Sequence, residues 1–272
     1  MIRGIVAQAL AEDIGSGDVT TNSCVPEELD ATGTFFARQD LVVAGLEVLP
    51  VIYELQGGVD SLELLAKNGV HARTGDRIAS VRGKARTLLT CERVALNFLQ
   101  RLSGVATHAS RYVEAVRGTH TKILDTRKTT PGLRQLEKMA AAAGGVTNHR
   151  MGLYDAILIK NNHIVAAGGI RQAVERTLGA NFPVEVEVRT RDEMREALAC
   201  RAQRLLLDNL TPAEAKDWIA EVNGRAQIEL SGGITLDTVR AYAESGADFI
   251  SCGAITHSAT AVDLNFRIEL CP

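Results

Sequence analysis

In the second half of this 272-residue chain, ionisable or small side chains recur directly after short apolar runs. In order they are Arg127 and Lys128, His149 and Arg150, Lys160 with Asn161, Asn162 and His163, Glu187, Asp208 with Asn209, the loop Ser231-Gly232-Gly233, and Gly253 with Thr256, His257 and Ser258. Guanidinium forks bind carboxylates and phosphates bidentately, and lysine ammoniums meet the same anions as point charges. Glu187 and Asp208 offer hard oxygen ligands for a divalent cation, or acceptors for ribose hydroxyls. Small residues at 231–234 and 251–254 leave backbone N–H groups open to a phosphate. Residues 121–163 hold seven basic side chains against three acidic ones, a local +4 in a chain of net charge −3. Together these types suit a phosphorylated, strongly anionic substrate beside a hard cation.

Plainer roles compete. Arg127 and Lys128 can be solvated loop charges, and Asp208 can cap the next helix. Glu185 and Glu187 share a strand face. One can belong to a structural ion pair while the other lines the site, and in a strand buried on both sides each needs a partner.

Strand ends must hold these groups. The apolar runs at 121–125, 145–148, 156–159, 184–188, 204–207, 227–230 and 248–251 alternate with amphipathic stretches at 191–201, 212–222 and 236–245. From Leu158 onward the runs are centred about 21 to 28 residues apart, a spacing suited to βα units with a parallel sheet. Thr211-Pro212 gives a good N-cap and N1 pair. The pattern predicts an α/β fold with an incomplete barrel of about seven strands and its site at the strand C-termini. The first 120 or so residues read as a small α+β domain. A polar opening at 12–21 leads to strands near 34–37, 61–66 and 76–82, a helix at 46–55, and turn residues between them. Residues 85–102 form an amphipathic helix, with Leu88, Ala95, Leu99 and Leu102 within about 60° of one another. Arg93 falls on its polar side, either solvated or offered to a neighbouring subunit.

Composition narrows the class. With 46% hydrophobic and 23% charged residues the chain can bury a large core. Near-balanced charge and few aromatics argue against nucleic acid as partner. Five cysteines without a CxxC pair argue against a disulfide framework or structural zinc site. The opening residues are too polar for a signal peptide, and no run approaches the roughly 18 apolar residues of a membrane span. The expected location is the cytoplasm, with no membrane partner.

At a finer grain the chain resembles the nicotinate-nucleotide pyrophosphorylase (carboxylating), or quinolinate phosphoribosyltransferase, family. The resemblance rests on Gly17-Asp18-Val19-Thr20-Thr21, Glu92-Arg93-Val94-Ala95-Leu96-Asn97, Leu102-Ser103-Gly104-Val105-Ala106-Thr107, the run Asp125 to Arg134, Asn148-His149-Arg150-Met151-Gly152-Leu153, Ile159-Lys160-Asn161-Asn162-His163, Val184-Glu185-Val186-Glu187, Leu207-Asp208-Asn209 and Glu229-Leu230-Ser231-Gly232-Gly233-Ile234. It implies an N-terminal α/β sandwich domain at 1–118, an α/β barrel at 119–257, and a segment at 258–272 returning to the first domain. It also implies a homodimer with shared active sites, in some members a hexamer. The implied substrates are quinolinate and phosphoribosyl pyrophosphate, with Mg2+ and no tightly bound organic cofactor. By the same resemblance Arg93 from the neighbour, Arg127, His149, Arg150 and Lys160 grip quinolinate. Lys128 and Lys160 meet phosphoribosyl pyrophosphate, Glu187 and Asp208 its ribose and magnesium, and Ser231, Gly232, Gly233, Gly253 and His257 the 5-phosphate. Lys128, Lys160, Glu187 and Asp208 are the implied catalytic residues. A non-catalytic relative would keep the phosphate loops, but has less need of the whole basic set beside Glu187 and Asp208.

Overall fold

The structure is a computed structural model and describes residues 2–271. In chain order the elements are α1 (Ile2–Ile14), α2 (Val19–Cys24), β1 (Asp30–Ala37), β2 (Leu41–Val42), α3 (Val48–Leu55), β3 (Ser61–Leu64), β4 (His71–Ala72), β5 (Arg77–Lys84) and α4 (Ala85–Ala115). There follow β6 (Lys122–Leu124), α5 (Arg134–Ala143), β7 (Ile157–Ile159), α6 (Asn161–Ala167), α7 (Ile170–Glu175), β8 (Val184–Val188), α8 (Arg191–Ala199), β9 (Arg204–Asp208), α9 (Pro212–Val222), β10 (Gln227–Ser231), α10 (Val239–Ala243), β11 (Phe249–Ser251), α11 (Ala254–His257) and β12 (Leu264–Leu270).

The chain packs as two units. One comprises Met1–Ser110, Thr129–Gly145 and Ser258–Pro272, and the other Arg111–Lys128 and Val146–His257. In the first, an antiparallel sheet runs in the order β12-β1-β5-β3. Strand β1 alternates half-buried and buried positions, the period-2 pattern of a sheet with one covered face. Its core includes Ala31 and Phe35 of β1, Ile78, Ala79 and Val81 of β5, Val6 and Leu10 of α1, and Val48, Leu49, Ile52 and Tyr53 of α3. The polar opening is helical where sequence texture indicated no element. The Asp18 carboxylate caps α2 by accepting the Thr21 N–H at 2.9 Å.

Helix α4 begins at the expected residue and runs thirteen residues past Leu102. Ser103 and Thr107 lower intrinsic helix propensity, yet tertiary bonds use both hydroxyls. Ser103 Oγ accepts the Ala44 N–H, and Thr107 Oγ1 accepts the Val42 N–H at 2.8 Å. Gly104 is required because a β-carbon there would strike the Thr260 carbonyl oxygen.

The second unit holds a six-stranded parallel sheet in the order β6-β11-β10-β9-β8-β7. The seventh expected strand, 145–148, contributes only a parallel bridge from Thr147 to Leu124. Its first residue is Gly145 at φ +91°, outside the extended region, so a regular strand cannot start there. The incomplete α/β barrel is therefore six strands and one bridge. Strands β8, β9 and β10 are buried through their centres, as expected when helices cover a parallel sheet. Helix α9 has the expected bounds and a reciprocal cap between Thr211 and Glu214. Helix α10 is shorter than the expected 236–245 stretch.

Candidate active site

Parallel pairing puts the C-terminal ends of the second unit's strands on one side, so the residues that follow them share a rim. Ser231 pairs with Asp208, Val188 with Leu207, and Ser251 with Leu124. Arg127 and Lys128 follow β6. Lys128 is tied by its carbonyl, which accepts the Thr256 hydroxyl at 2.8 Å, and its stem lies against Gly253. Lys160 is the exposed N-cap of α6, and its N–H donates to His163 Nδ1 at 2.9 Å. Gly253 and His257 bracket the short helix α11.

Arg127 and Arg150 are both half-buried and close enough to feel each other's charge. Burial and then Arg127 lower the proton affinity of the Arg150 guanidinium, while Asp155 and Glu185 offset this. Two cations held together in this way make a site for an anion.

His149 lies at the centre of a buried polar cluster. Its Nε2 is 3.3 Å from Glu185 Oε2 and 3.3 Å from Glu229 Oε2, and its backbone N–H donates to the buried Asp125 carboxylate at 2.8 Å. Burial alone would weaken the ring's hold on a second proton, but hydrogen bonds and charge from Glu185 and Glu229 reverse the sign and push the pKa to about 9. One local contact opposes this, because Nδ1 accepts the Arg150 N–H at 2.7 Å and an imidazolium must release that bond. A single neutral hydrogen bond is worth about 1 kcal/mol, less than two carboxylates nearly shielded from water, so the charged ring is favoured. Burial raises the Glu185 carboxyl well above its usual range, although His149 acts against it. At Glu229 burial acts in the same sense, but the His149 bond prevails and holds the carboxyl below its usual value.

Glu187 and Asp208 come together at the ends of β8 and β9 through a residue that sequence reasoning missed. Arg189 Nη2 is 3.1 Å from Glu187 Oε1, and its Nε is 3.5 Å from Asp208 Oδ2. Asp208 also accepts from Asn209 Nδ2 at 2.8 Å. The two mostly buried carboxylates fit a hard divalent ion in donor type and charge, and the Arg189 guanidinium lies on the oxygens such an ion would use. Glu185 and Glu187 divide the roles as their shared face allowed: Glu185 turns to the buried cluster and Glu187 to the rim.

The loop after β10 is shaped by glycine. Gly232 has φ +104°, and a β-carbon there would strike the side chain of Asn209, a residue whose backbone N–H donates to the Ser231 carbonyl at 2.9 Å. Gly233 also has positive φ. Arg93 belongs to the first unit, where it is exposed on α4.

Glu229 and Asp125 also escaped the sequence reading as site residues. The argument that flags Glu187, a carboxylate inside an apolar strand, applies equally to Glu229 in Ile228-Glu229-Leu230. Nothing in the spacing marks Arg189, whose role depends on the pairing of β8 with β9.

Two family models match the chain: quinolinate phosphoribosyl transferase N-terminal domain over residues 18–103, and C-terminal domain over residues 105–267. The chain is 39% identical to the chloroplastic nicotinate-nucleotide pyrophosphorylase [carboxylating] of Arabidopsis thaliana, covering 98% of this chain and 83% of that protein. It resembles the crystal structure of NadC from Streptococcus pyogenes with a TM-score of 0.95 at 37% identity, covering 100% of this chain and 97% of that one. For the nicotinate-nucleotide pyrophosphorylase from Francisella tularensis the TM-score is 0.92 at 36% identity, over 98% and 96% of the two chains.

Proposed function

Because the chain belongs to the quinolinate phosphoribosyltransferase family, we propose that it transfers phosphoribosyl from phosphoribosyl pyrophosphate to quinolinate in NAD biosynthesis. Decarboxylation accompanies the transfer, and the products are nicotinate mononucleotide, pyrophosphate and carbon dioxide. The observation that carries this reading is the Arg127 and Arg150 pair, two like charges gathered beside a histidine that is itself held cationic.

In this reading Arg127, Arg150, His149 and Lys160 grip the two carboxylates of quinolinate, with Arg93 supplied by a second copy of the chain in a homodimer, or in a hexamer built from dimers. Lys128 and Lys160 bind phosphoribosyl pyrophosphate. Glu187 and Asp208 face its ribose, and Ser231, Gly232, Gly233, Gly253 and His257 surround the 5-phosphate. Magnesium held by Glu187 and Asp208, directly or through water, would neutralise the pyrophosphate.

The pyridine nitrogen attacks C1 of the ribose as the bond to pyrophosphate breaks, and the nearby carboxylates stabilise the cationic sugar. The guanidiniums then oppose the negative charge that builds on the ring carbon as carbon dioxide departs, before that carbon takes a proton. The proposed domain boundaries are 1–118, 119–257 and 258–272. Among the described residues no helix is long and apolar enough to cross a membrane, and the proposed location is the cytoplasm.

Incubation with quinolinate, phosphoribosyl pyrophosphate and magnesium tests the reading. Magnesium-dependent nicotinate mononucleotide, pyrophosphate and carbon dioxide, lost in Arg127→Ala, are expected. Folded protein that binds quinolinate but forms no product would overturn it.

A further inference from the structure

Glu187 and Asp208 are two acidic side chains at adjacent strand ends, 10% and 15% exposed, and Arg189 spans them while remaining about half exposed itself. A guanidinium is a planar cation whose fork matches carboxylate oxygens. It occupies the space that a divalent ion needs in order to use the same oxygens. The backbone beneath it is fixed, because the Arg189 N–H donates to Glu193 Oε2 at 2.7 Å within the cap of α8. Beyond that anchor the side chain is held by its carboxylate contacts, and about half of it faces solvent. A pyrophosphate brought to this rim would offer the guanidinium a second bidentate anionic partner.

We propose that Arg189 is a resident counter-cation for the Glu187 and Asp208 pair, one that excludes a free divalent ion and gives way only to an ion arriving with phosphoribosyl pyrophosphate. This goes beyond the proposed function but rests on its placing of the metal at these carboxylates. Arg189 thereby sets the order in which charge enters the site: one of the pair's two negative charges is balanced while the site is empty, and the guanidinium moves to pyrophosphate oxygens when the carboxylates take the metal.

Binding of Mn2+ to the full-length protein, followed by the loss of the free-ion paramagnetic resonance signal, separates the two ideas without measuring turnover. Wild type, Arg189→Gln, Arg189→Lys and Arg189→Gln/Asp208→Asn are compared with and without phosphoribosyl pyrophosphate, each first shown to be folded by circular dichroism. Arg189→Gln should bind Mn2+ alone about tenfold more tightly than wild type, Arg189→Lys should fall between them, and the added Asp208→Asn should abolish the gain. With phosphoribosyl pyrophosphate present, wild type and Arg189→Gln should converge. Equal Mn2+ affinity in wild type and Arg189→Gln, with Asp208→Asn still weakening binding in the presence of phosphoribosyl pyrophosphate, would overturn the role of Arg189 and leave the metal placement standing. A gain that survives Asp208→Asn would overturn the placement itself, and the inference with it.

Discussion

His149 Nε2 lies 3.3 Å from Glu229 Oε2, a carboxylate only 1% exposed to solvent. The pairing ties a rim residue to the interior of β10, so the protonation of His149 becomes part of the protein's stability. A pKa raised to about 9 in the folded state, against about 6.5 unfolded, stabilises the protein fully below pH 6.5 and is lost as pH rises through 9. The stability advantage of wild type over Glu229→Gln should therefore be greatest at about pH 6, where His149 is charged and Glu229 is still ionised, and shrink between pH 6.5 and 9. Thermal unfolding across that range measures it, with imidazole NMR to follow the His149 pKa downward in the variant. A pH-independent difference would contradict the linkage.

The proposed grip of Arg127 and Arg150 on quinolinate predicts that removing either weakens quinolinate far more than phosphoribosyl pyrophosphate. Losing one charged contact to a buried carboxylate costs on the order of 2 to 5 kcal/mol. Calorimetric titration of Arg127→Ala and Arg150→Ala with each substrate should show that asymmetry. Equal losses for both ligands would place the arginines elsewhere.

Arg93 is exposed on α4 and Arg127 follows β6, so a shared site in a homodimer predicts complementation. Mixed dimers of Arg93→Ala and Arg127→Ala chains should recover activity that neither parent has. Demonstrated heterodimers without activity would reject the shared site.

Glu137 has no exposed side-chain surface, and its carboxylate is filled by four bonds. It accepts from Arg101 Nε at 3.0 Å and Nη2 at 2.6 Å, and from the Thr130 N–H and hydroxyl at 3.0 and 2.7 Å. Removing one partner of such a pair strands the other, at about 3 to 5 kcal/mol. Glu137→Ala should lower the urea midpoint accordingly, with Glu137→Gln less affected.

Gly104→Ala should destabilise, although alanine is about 1 kcal/mol better than glycine inside a helix. The added β-carbon meets backbone at Thr260 and Ala261, which cannot rotate away as a side-chain tip can. Chemical denaturation gives the sign directly, and a more stable variant would show that the helix can shift.

Local physics made much of this molecule legible before its coordinates. Alternating apolar runs located all six strands of the parallel sheet, and Thr211-Pro212 fixed the start of α9, because both signals depend on neighbours in sequence. The run 145–148 looked equally apolar but begins at a glycine in a non-extended conformation. The end of α4 was hidden because Ser103, Gly104 and Thr107 read as helix-weakening until their partners at Ala44, Thr260 and Val42 are known. At the site, charged residues after strands were visible individually. Arg189 acquires its meaning only when β8 and β9 lie side by side.

Strand β12 completes one edge of the antiparallel sheet by pairing with β1, and all six strands of the parallel sheet lie between them in the chain. During synthesis β1 therefore waits, with one row of backbone donors and acceptors open, until β12 has emerged. The nascent chain keeps a sticky edge while all six parallel strands are being made, and β12 is the strand that closes it.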